Sequence, residues 1–327
     1  MHDRRFVTSR SAFLGALIAS LLAASASPAV ADRRATTVEK RAGGAETAPS
    51  QLPTVKSASA AVLDLRTGAE LFGKNADEVR AIASTTKIFV ALAVRKKGLD
   101  LDGWTAIDGV DVKWAKGGSR TRLDLGQSYR NHDLLRAMLM ASDNRAPTAL
   151  GRAAGMTRDQ LIAAMNDVAR DLGLKKTKFT DSSGLRGNVS TAREMALALR
   201  AALADPVLSE IMTTRWYEVR SRTGYSKVSY SSTNQPLIVG KYKILGGKTG
   251  FTRPAKYCFI TGVEIDDHRY VVAFLGADDK GTRFSDFARV AAWIDDGAPG
   301  AKLKPRAEGK AAPPVVKRRA AGHAKRR

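Results

Sequence analysis

A serine and a lysine three residues apart stand at the start of an apolar segment. In the stretch AIASTTKIFVAL, Ser84 and Lys87 come directly before Ile88 and Phe89. The apolar spacing predicts a helix over residues 84–96, so the two polar side chains share one face of its first turn. Helix capping would explain the serine alone, but a helix N-terminus disfavours a cation. If burial and the helix dipole lower the pKa of the lysine, its neutral amine becomes a general base for the serine hydroxyl.

The scarcity of histidine and cysteine limits the other chemistry that the chain can perform. It has four histidines, His2, His132, His268 and His323, and one cysteine, Cys258. The isolated histidines do not favour a Ser-His-Asp triad or a zinc site. A single cysteine excludes an internal disulfide. Cys258 lies in an apolar alternating run, which favours a buried structural thiol. We therefore expect no metal and no cofactor.

A second polar motif, Ser142-Asp143-Asn144, ends a predicted helix at residues 131–142. The Ser142 hydroxyl is suited to relay a proton to a leaving group, and the Asn144 amide to orient Lys87 and a substrate carbonyl. Ser-Asp-Asn is also ordinary turn material, and the similar triplet at residues 232–234 shows that the motif alone is weak.

A third motif occurs in the stretch GGKTGFT. Lys248 and Thr249 offer a cation and a hydroxyl to a carboxylate, and Gly250 permits an extended substrate to approach closely. The backbone N–H of Phe251 is suited to complete an oxyanion hole with that of Ser84. Similar triplets elsewhere in the chain show that this motif, too, is weak alone.

Strand patterns flank a largely helical middle. Alternating segments at 58–64 and 69–73 predict a hairpin, and those at 255–265 and 268–276 predict two further strands. Helical periodicity occurs at 84–96, 131–142, 157–172, 191–204 and 284–294. The third motif is placed just before the second strand pair. The order predicts an α+β fold, with an antiparallel sheet formed by N- and C-terminal strands and a helical region between them.

The ends of the chain differ in composition from its middle. Residues 1–31 have a basic start, a short apolar run and a small-residue exit, which predict a cleaved signal peptide. An uncleaved anchor and a twin-arginine export signal are the less favoured alternatives. Residues 32–51 are predicted to form a flexible arm, residues 52–297 a catalytic domain, and residues 298–327 a disordered basic tail. We therefore expect an exported protein of the periplasm or cell envelope, without a transmembrane helix once the signal is removed.

The chain is strongly basic, with a formal net charge of +22. The tail contributes ten lysines or arginines against one glutamate, and the predicted domain also has a positive surplus. Such a surface suits nucleic acid or anionic polymers of the cell envelope, or simply aids solubility. The export signal and the lack of a nucleic-acid-binding motif favour electrostatic contact of the tail with envelope polymers, and no nucleic acid.

The three motifs in this order, 58 and 106 residues apart, are more specific than any one of them. Over residues 55–297 the chain resembles the low-molecular-mass penicillin-binding proteins, the serine D-alanyl-D-alanine carboxypeptidases and endopeptidases. The stretches DLLRAMLMASDNRAPTAL, DSSGLRGNVSTAREMALAL and GGKTGFT all look like that family. The motifs are similar above all to the penicillin-binding protein 7 type of endopeptidase, and the fold implied is that of β-lactamases and transpeptidases.

The resemblance implies a role for each motif residue. Ser84 would be the acylated nucleophile, Lys87 its base, Ser142 and Asn144 the second element, and Lys248 and Thr249 the carboxylate-binding strand, with Arg283 near the substrate carboxylate after a one-residue shift in the alignment. The implied substrate is a peptidoglycan stem peptide, and the implied inhibitors are penicillin and other β-lactams. Carboxypeptidases of this family usually continue into a second β-domain and an amphipathic anchor, whereas the pattern here ends near Gly297.

Two other functions use the same features. A β-lactamase would need an added glutamate between the second and third motifs, and Glu194 and Glu210 lie there without a suitably spaced asparagine. A non-enzymatic envelope-binding protein would keep the fold without the reaction, but both the serine and the lysine are present. A D-Ala-D-Ala peptidase is therefore the expected function, with carboxypeptidase and endopeptidase activity not distinguished.

Overall fold

The computed structural model describes residues 52–119 and 121–301. The predicted signal peptide, the predicted arm and most of the predicted basic tail lie outside these residues. Within the described ranges, no helix is both long and apolar enough to cross a membrane.

Strands and helices follow one another in an order that separates the sheet from the helical region. In chain order they are β1 (Ser59–Asp64), β2 (Glu70–Lys74), β3 (Arg80–Ala81), a 3₁₀ turn (Ala83–Thr86), α1 (Lys87–Lys96), β4 (Trp104–Ala106), α2 (Gly109–Ala115), β5 (Ser128–Arg130), α3 (Asn131–Ala141), α4 (Ala146–Ala153), α5 (Arg158–Asp171), β6 (Val189–Ser190), α6 (Ala192–Leu203), α7 (Pro206–Thr213), β7 (Trp216–Arg220), β8 (Lys227–Ser231), α8 (Gln235–Val239), β9 (Lys243–Thr252), β10 (Lys256–Ile265), β11 (His268–Ala277) and α9 (Thr282–Asp295).

Five of these strands form one antiparallel sheet in the order β2-β1-β11-β10-β9. The N-terminal strand β1 pairs with the C-terminal strand β11, from Ser59 opposite Leu275 to Asp64 opposite Tyr270. The predicted α+β fold, with a sheet built from both ends of the domain, is confirmed.

Both faces of the sheet are covered, which explains why its central strands are continuous apolar runs. Leu63 and Val271 pack with the helical region on one face, whereas Val62, Val272 and Phe287 of α9 pack together on the other. Because neighbouring side chains along a strand point to opposite faces, each strand needs apolar residues at nearly every position.

The third motif lies within a strand and not ahead of one. Lys248 and Thr249 belong to β9, where they pair with Ile260 and Phe259 of β10. Glycines lower the β propensity of this segment, so its sequence pattern gave no strand prediction. Its hydrogen bonds to β10 stabilise the extended conformation, which the local propensity of the segment does not favour.

The predicted helices are present, with one informative difference. The segment predicted as a helix from residue 84 begins as a 3₁₀ turn, and the α-helix starts only at Lys87. The sequence pattern also missed the β7-β8 hairpin, whose tip contains Arg222-Thr223-Gly224.

The C-terminal end of the domain makes contacts after α9. The indole N–H of Trp293 donates to the carbonyl of Pro299 at 3.1 Å, and Ala301 packs against the core. Folded contacts therefore continue a few residues beyond the predicted domain boundary.

Candidate active site

The 3₁₀ turn brings Ser84 and Lys87 into direct contact. Ala83 has a φ of +47°, a backbone conformation that non-glycine residues rarely adopt. The turn that follows places the serine and the first residue of α1 on one face, and Lys87 Nζ donates to Ser84 Oγ at 2.8 Å. The predicted pairing of hydroxyl and amine is therefore present in the structure.

Lys87 is fully buried among hydrogen-bond acceptors. Its Nζ also donates to Asn144 Oδ1 at 2.6 Å and to the carbonyl of Ser183 at 3.2 Å. Burial lowers the pKa of Lys87 to about 7, although the negative charges of Asp143 and Asp181 act in the opposite direction. A substantial neutral fraction near pH 7 is what a general base for the adjacent hydroxyl requires.

The turn at the end of α3 is fixed by Asp143. Its carboxylate accepts the backbone N–H of Arg122 at 2.8 Å and of Arg145 at 3.0 Å, and the hydroxyl of Tyr230 at 2.9 Å. Ser142 precedes it in the left-handed conformation with a φ of +64°. Within the described ranges, the buried Ser142 Oγ makes no hydrogen bond, which is unusual for a buried hydroxyl.

Strand β9 lies directly against the 3₁₀ turn. A Cβ atom placed on Gly250 would lie 3.0 Å from the backbone nitrogen of Ser84 and 3.1 Å from the carbonyl oxygen of Ile82. The missing side chain therefore permits this close approach. Phe251 follows, half exposed, with its ring 4.3 Å from that of Tyr257.

The side chain of Lys248 is 1% exposed. Its Nζ donates to the carbonyl of Thr249 at 2.8 Å. Burial lowers the pKa of Lys248, and the positive charges of Lys87 and Arg283 lower it further. An anion beside this amine would favour its charged form.

Arg283 of α9 lies behind the strand pair. One guanidinium nitrogen donates to the carbonyls of Gly250 at 2.9 Å and Cys258 at 2.8 Å, and the group lies 5.2 Å from the Tyr257 ring centroid. The resemblance implied a position near the substrate carboxylate. In the structure its hydrogen bonds hold the backbone of β9 and β10, so its contact with the site passes through Gly250.

Sequence reasoning missed Thr233. Its hydroxyl and that of Thr249 share a hydrogen bond of 2.6 Å, and its backbone N–H donates to the carbonyl of Met140 at 3.0 Å. The triplet at residues 232–234, judged uninformative from sequence, thus connects the end of α3 with the third motif.

The loop that begins at Asp181 was also missed. The Asp181 carboxylate accepts the backbone N–H groups of Ser183 at 2.6 Å and Gly184 at 2.7 Å, which directs the Ser183 carbonyl towards Lys87. Gly184 has a φ of +82°, and a Cβ there would overlap the carbonyl oxygen of Ala83. An aspartate followed by Ser-Ser-Gly is typical of a side-chain-capped turn, and that was the available signal.

The loop is joined to the 3₁₀ turn by Asn188. Its amide nitrogen donates to Thr86 Oγ1 at 3.1 Å, and its amide oxygen accepts the backbone N–H of Thr180 at 2.8 Å. Asn188 therefore joins the two ends of the loop to each other and to the 3₁₀ turn that contains Ser84.

The glutamates considered for a β-lactamase are engaged elsewhere. Glu194 accepts from the hydroxyl of Thr177 at 2.6 Å, and Glu210 pairs with Arg136 at 3.0 Å. Neither carboxylate forms a hydrogen bond with the serine and lysine of the first motif in the described part of the chain. The described residues contain no group of three or more histidines, cysteines or acidic residues placed to hold a metal.

Comparisons with known proteins agree with this geometry. The model of the D-alanyl-D-alanine carboxypeptidase family matches residues 45–279. The chain is 32% identical over 254 residues to a D-alanyl-D-alanine endopeptidase of Escherichia coli, a match that covers 77% of this chain and 81% of that protein. A D-alanyl-D-alanine carboxypeptidase of Bacillus subtilis is 29% identical over 70% of this chain and 61% of its own length.

Solved structures show the same relationship. A D-alanyl-D-alanine carboxypeptidase from Mycobacterium tuberculosis has a TM-score of 0.71 and 28% identity, covering 80% of this chain and 98% of that one. The DD-transpeptidase of Streptomyces K15 has a TM-score of 0.69 and 26% identity, covering 74% and 98%. The chain therefore belongs to the D-alanyl-D-alanine carboxypeptidase family and is a serine-type peptidase.

Proposed function

We propose that the chain is an exported endopeptidase that hydrolyses D-alanyl peptide bonds of peptidoglycan cross-links through an acyl enzyme on Ser84. The observation that carries this proposal is the 2.8 Å hydrogen bond between Lys87 Nζ and Ser84 Oγ, made by a lysine that is fully buried. Burial favours the neutral amine, which turns an ordinary hydroxyl into a nucleophile.

The first step forms the acyl enzyme. Neutral Lys87 takes the hydroxyl proton of Ser84 as Oγ attacks the D-alanyl carbonyl carbon, and the backbone N–H groups of Ser84 and Phe251 stabilise the oxyanion. Lys248 and Thr249 hold a substrate carboxylate. The carbon–nitrogen bond then breaks, and the proton passes from Lys87 to the leaving amine.

Ser142 is the proposed relay for that proton. Its buried hydroxyl makes no hydrogen bond within the described ranges, which supports a role completed only when substrate binds. Asn144, whose Oδ1 accepts from Lys87 Nζ at 2.6 Å, keeps the lysine aimed at the serine.

Hydrolysis of the ester completes the cycle. Water attacks the acyl carbonyl, its proton is taken up by Lys87 and returned to Ser84 Oγ, and the product leaves as a free carboxylate. The engagement of Glu194 and Glu210 in other contacts supports slow release of a penicilloyl group, as expected for a peptidase and not for a β-lactamase.

Endopeptidase activity is favoured by the pattern of similarity. The endopeptidases of Escherichia coli and Pseudomonas aeruginosa are 32% and 33% identical and are covered over 81% and 78% of their lengths. Carboxypeptidases of Mycobacterium tuberculosis and Bacillus subtilis are slightly less similar, at 31% and 29% identity, and are covered over 72% and 61% of their lengths. Cross-linked stem peptides are therefore the proposed substrates, and stem peptides with a terminal D-alanine are the alternative.

The proposed location and organisation rest on composition. Residues 1–31 would direct export, residues 32–51 would act as an arm before the catalytic domain at 52–297, and the basic residues of 298–327 would associate with anionic envelope polymers.

The test is intact-protein mass spectrometry with benzylpenicillin, followed over time beside Ser84→Ala. We expect a persistent penicilloyl adduct on the wild-type protein and none on the variant. An adduct that disappears while penicillin is consumed would instead identify a β-lactamase. Digestion of cross-linked and linear muropeptides by the same protein then decides between endopeptidase and carboxypeptidase activity.

A further inference from the structure

A shallow surface depression, open to solvent, lies beside the Ser183 carbonyl that accepts from Lys87. Trp114 of α2, Arg158 of α5 and Arg186 of the loop that follows Asp181 line it. Because the depression is shallow and open, it can contact one side chain of a bound peptide but cannot enclose a whole peptide.

Two guanidinium groups contact the Trp114 ring. The Cζ atom of Arg158 lies 3.9 Å from the ring centroid and that of Arg186 lies 4.9 Å from it. Arg158 is also paired with Asp159 at 2.7 Å. The guanidinium of Arg186 is exposed, and within the described ranges it makes no hydrogen bond or ion pair. Stacking on the indole therefore orients a cation whose donors are free for a ligand.

The depression is positively charged. Asp181 is the carboxylate in its lining, and this group already accepts backbone N–H groups, among them those of Ser183 and Arg186. The amine of Lys113 lies 5.7 Å from the centroid of the Trp114 ring and adds a further positive charge. An anionic group is the ligand that this charge distribution favours.

The depression shares a wall with the proposed reactive centre. Gly118 lies a few residues beyond Trp114, and a Cβ there would overlap the side-chain amide of Asn144 and lie 3.2 Å from Leu185. Leu185 lines the depression, and Asn144 accepts from Lys87. Ser183 also lines the depression, and its carbonyl accepts from Ser84 Oγ at 3.4 Å. A substrate held at Ser84 therefore lies beside the depression.

We propose that this depression is a subsite for a carboxylate carried by an acidic residue of the substrate peptide near the scissile bond. The Arg186 guanidinium offers paired donors to the carboxylate, and Arg158 and Trp114 complete the surface. The proposal rests on the proposed peptidase function and adds a preference for acidic peptides.

The test uses two synthetic cross-linked peptides with a D-alanyl scissile bond, which differ in one side chain upstream of that bond, a free carboxylate or its primary amide. We expect the wild-type protein to favour the acid in kcat/KM. Arg186→Gln should lower the acid-to-amide ratio about tenfold, because a hydrogen bond to a charged group contributes to this extent. Arg186→Glu should reverse the preference towards a peptide with a lysine at that position.

Arg222→Gln is the matched control. Arg222 is also exposed and lies 5.9 Å from a tryptophan ring, that of Trp104, but it does not line the depression. The acid-to-amide ratio of this variant should stay at the wild-type value. Equal ratios in wild type, Arg186→Gln and Arg222→Gln would overturn the subsite while penicillin acylation of Ser84 still supports the peptidase. A wild-type protein that neither forms the penicilloyl adduct nor cleaves either peptide would overturn both proposals.

Discussion

The two buried lysines of the site have opposite surroundings. Lys87 Nζ donates to a hydroxyl, an amide oxygen and a carbonyl, and the charges of Asp143 and Asp181 act on it. Lys248 Nζ donates to the Thr249 carbonyl, and the charges that act on it are positive. Equal burial thus accompanies an amine with three acceptors in one place and, within the described ranges, an amine with one acceptor in the other.

This difference separates two tasks that a lysine can perform. An amine surrounded by acceptors is held in one orientation and exchanges a proton with a fixed neighbour, which suits Lys87 for base catalysis. An amine with free donors and neighbouring cations gains most from an arriving anion, which suits Lys248 for binding a carboxylate. Replacing Lys87 and replacing Lys248 should therefore lower the acylation rate by different amounts and with different dependence on the inhibitor's carboxylate.

Lys87→Met should have the largest effect. Without the base, we expect the rate constant of acylation by benzylpenicillin to fall by about 10³-fold, within the range found for general bases. The methionine fills the space of the lysine without a buried amine, so the thermal midpoint of unfolding should rise. Stopped-flow or mass-spectrometric acylation kinetics and calorimetry measure the two quantities. Normal acylation in a folded Lys87→Met protein would remove this lysine from the base role.

Lys248→Met should have a smaller and more selective effect. Because charge-assisted hydrogen bonds to the carboxylate are lost, the rate constant of acylation by benzylpenicillin should fall roughly 10- to 100-fold. The methyl ester of penicillin lacks the carboxylate, so its acylation should change much less. Comparison of the two inhibitors on wild type and variant checks this, and an equal loss with both would contradict carboxylate binding by Lys248.

The pH dependence follows from the pKa of Lys87, which burial lowers to about 7 from an ordinary 10.5. Protonation removes the base, so acylation should slow about tenfold for each pH unit below this pKa. Because the folded protein releases this proton more readily than the unfolded chain, the free energy of unfolding should rise with pH between about 7 and 10.5. Acylation rates and denaturation curves across pH measure both trends. In Lys87→Met, the rise in the free energy of unfolding between pH 7 and 10.5 should be smaller. If the rise is identical in both proteins, groups other than Lys87 cause it.

The fold was largely predictable because its strands carry strong local patterns. The strands at 59–64 and 268–277 are apolar on both faces and cannot be accommodated except inside a covered sheet. The family resemblance implied a strand at Lys248 and Thr249, but the local pattern did not predict β9, since glycines at 246, 247 and 250 weaken it. Its order comes from pairing with β10, and a single-sequence pattern does not report such non-local contacts.

The three motifs predicted which residues meet, but not what supports them. Ser84, Lys87 and Asn144 are joined by hydrogen bonds in the structure, as their types and order suggested. The carbonyl of Ser183 and the hydroxyl of Thr233 were not predicted. The Asp-Ser-Ser-Gly pattern indicates a turn but not which group the Ser183 carbonyl meets, and a threonine in a polar segment is ordinary until folding places it beside Thr249.

Thr233→Val tests the smallest of these contributions. It removes the 2.6 Å hydrogen bond to Thr249 Oγ1 and the 3.2 Å hydrogen bond from Thr233 Oγ1 to the Met140 carbonyl, while keeping the shape of the side chain and the backbone N–H bond to Met140. A neutral hydrogen bond contributes about 0.5–1.5 kcal/mol, so acylation by benzylpenicillin should slow about three- to tenfold. If Thr233 acts by orienting the Thr249 hydroxyl towards the substrate carboxylate, Thr249→Val should be as slow as the double variant. Additive losses in the double variant would show that the two hydroxyls act independently, and Thr233 would then have no part in carboxylate binding.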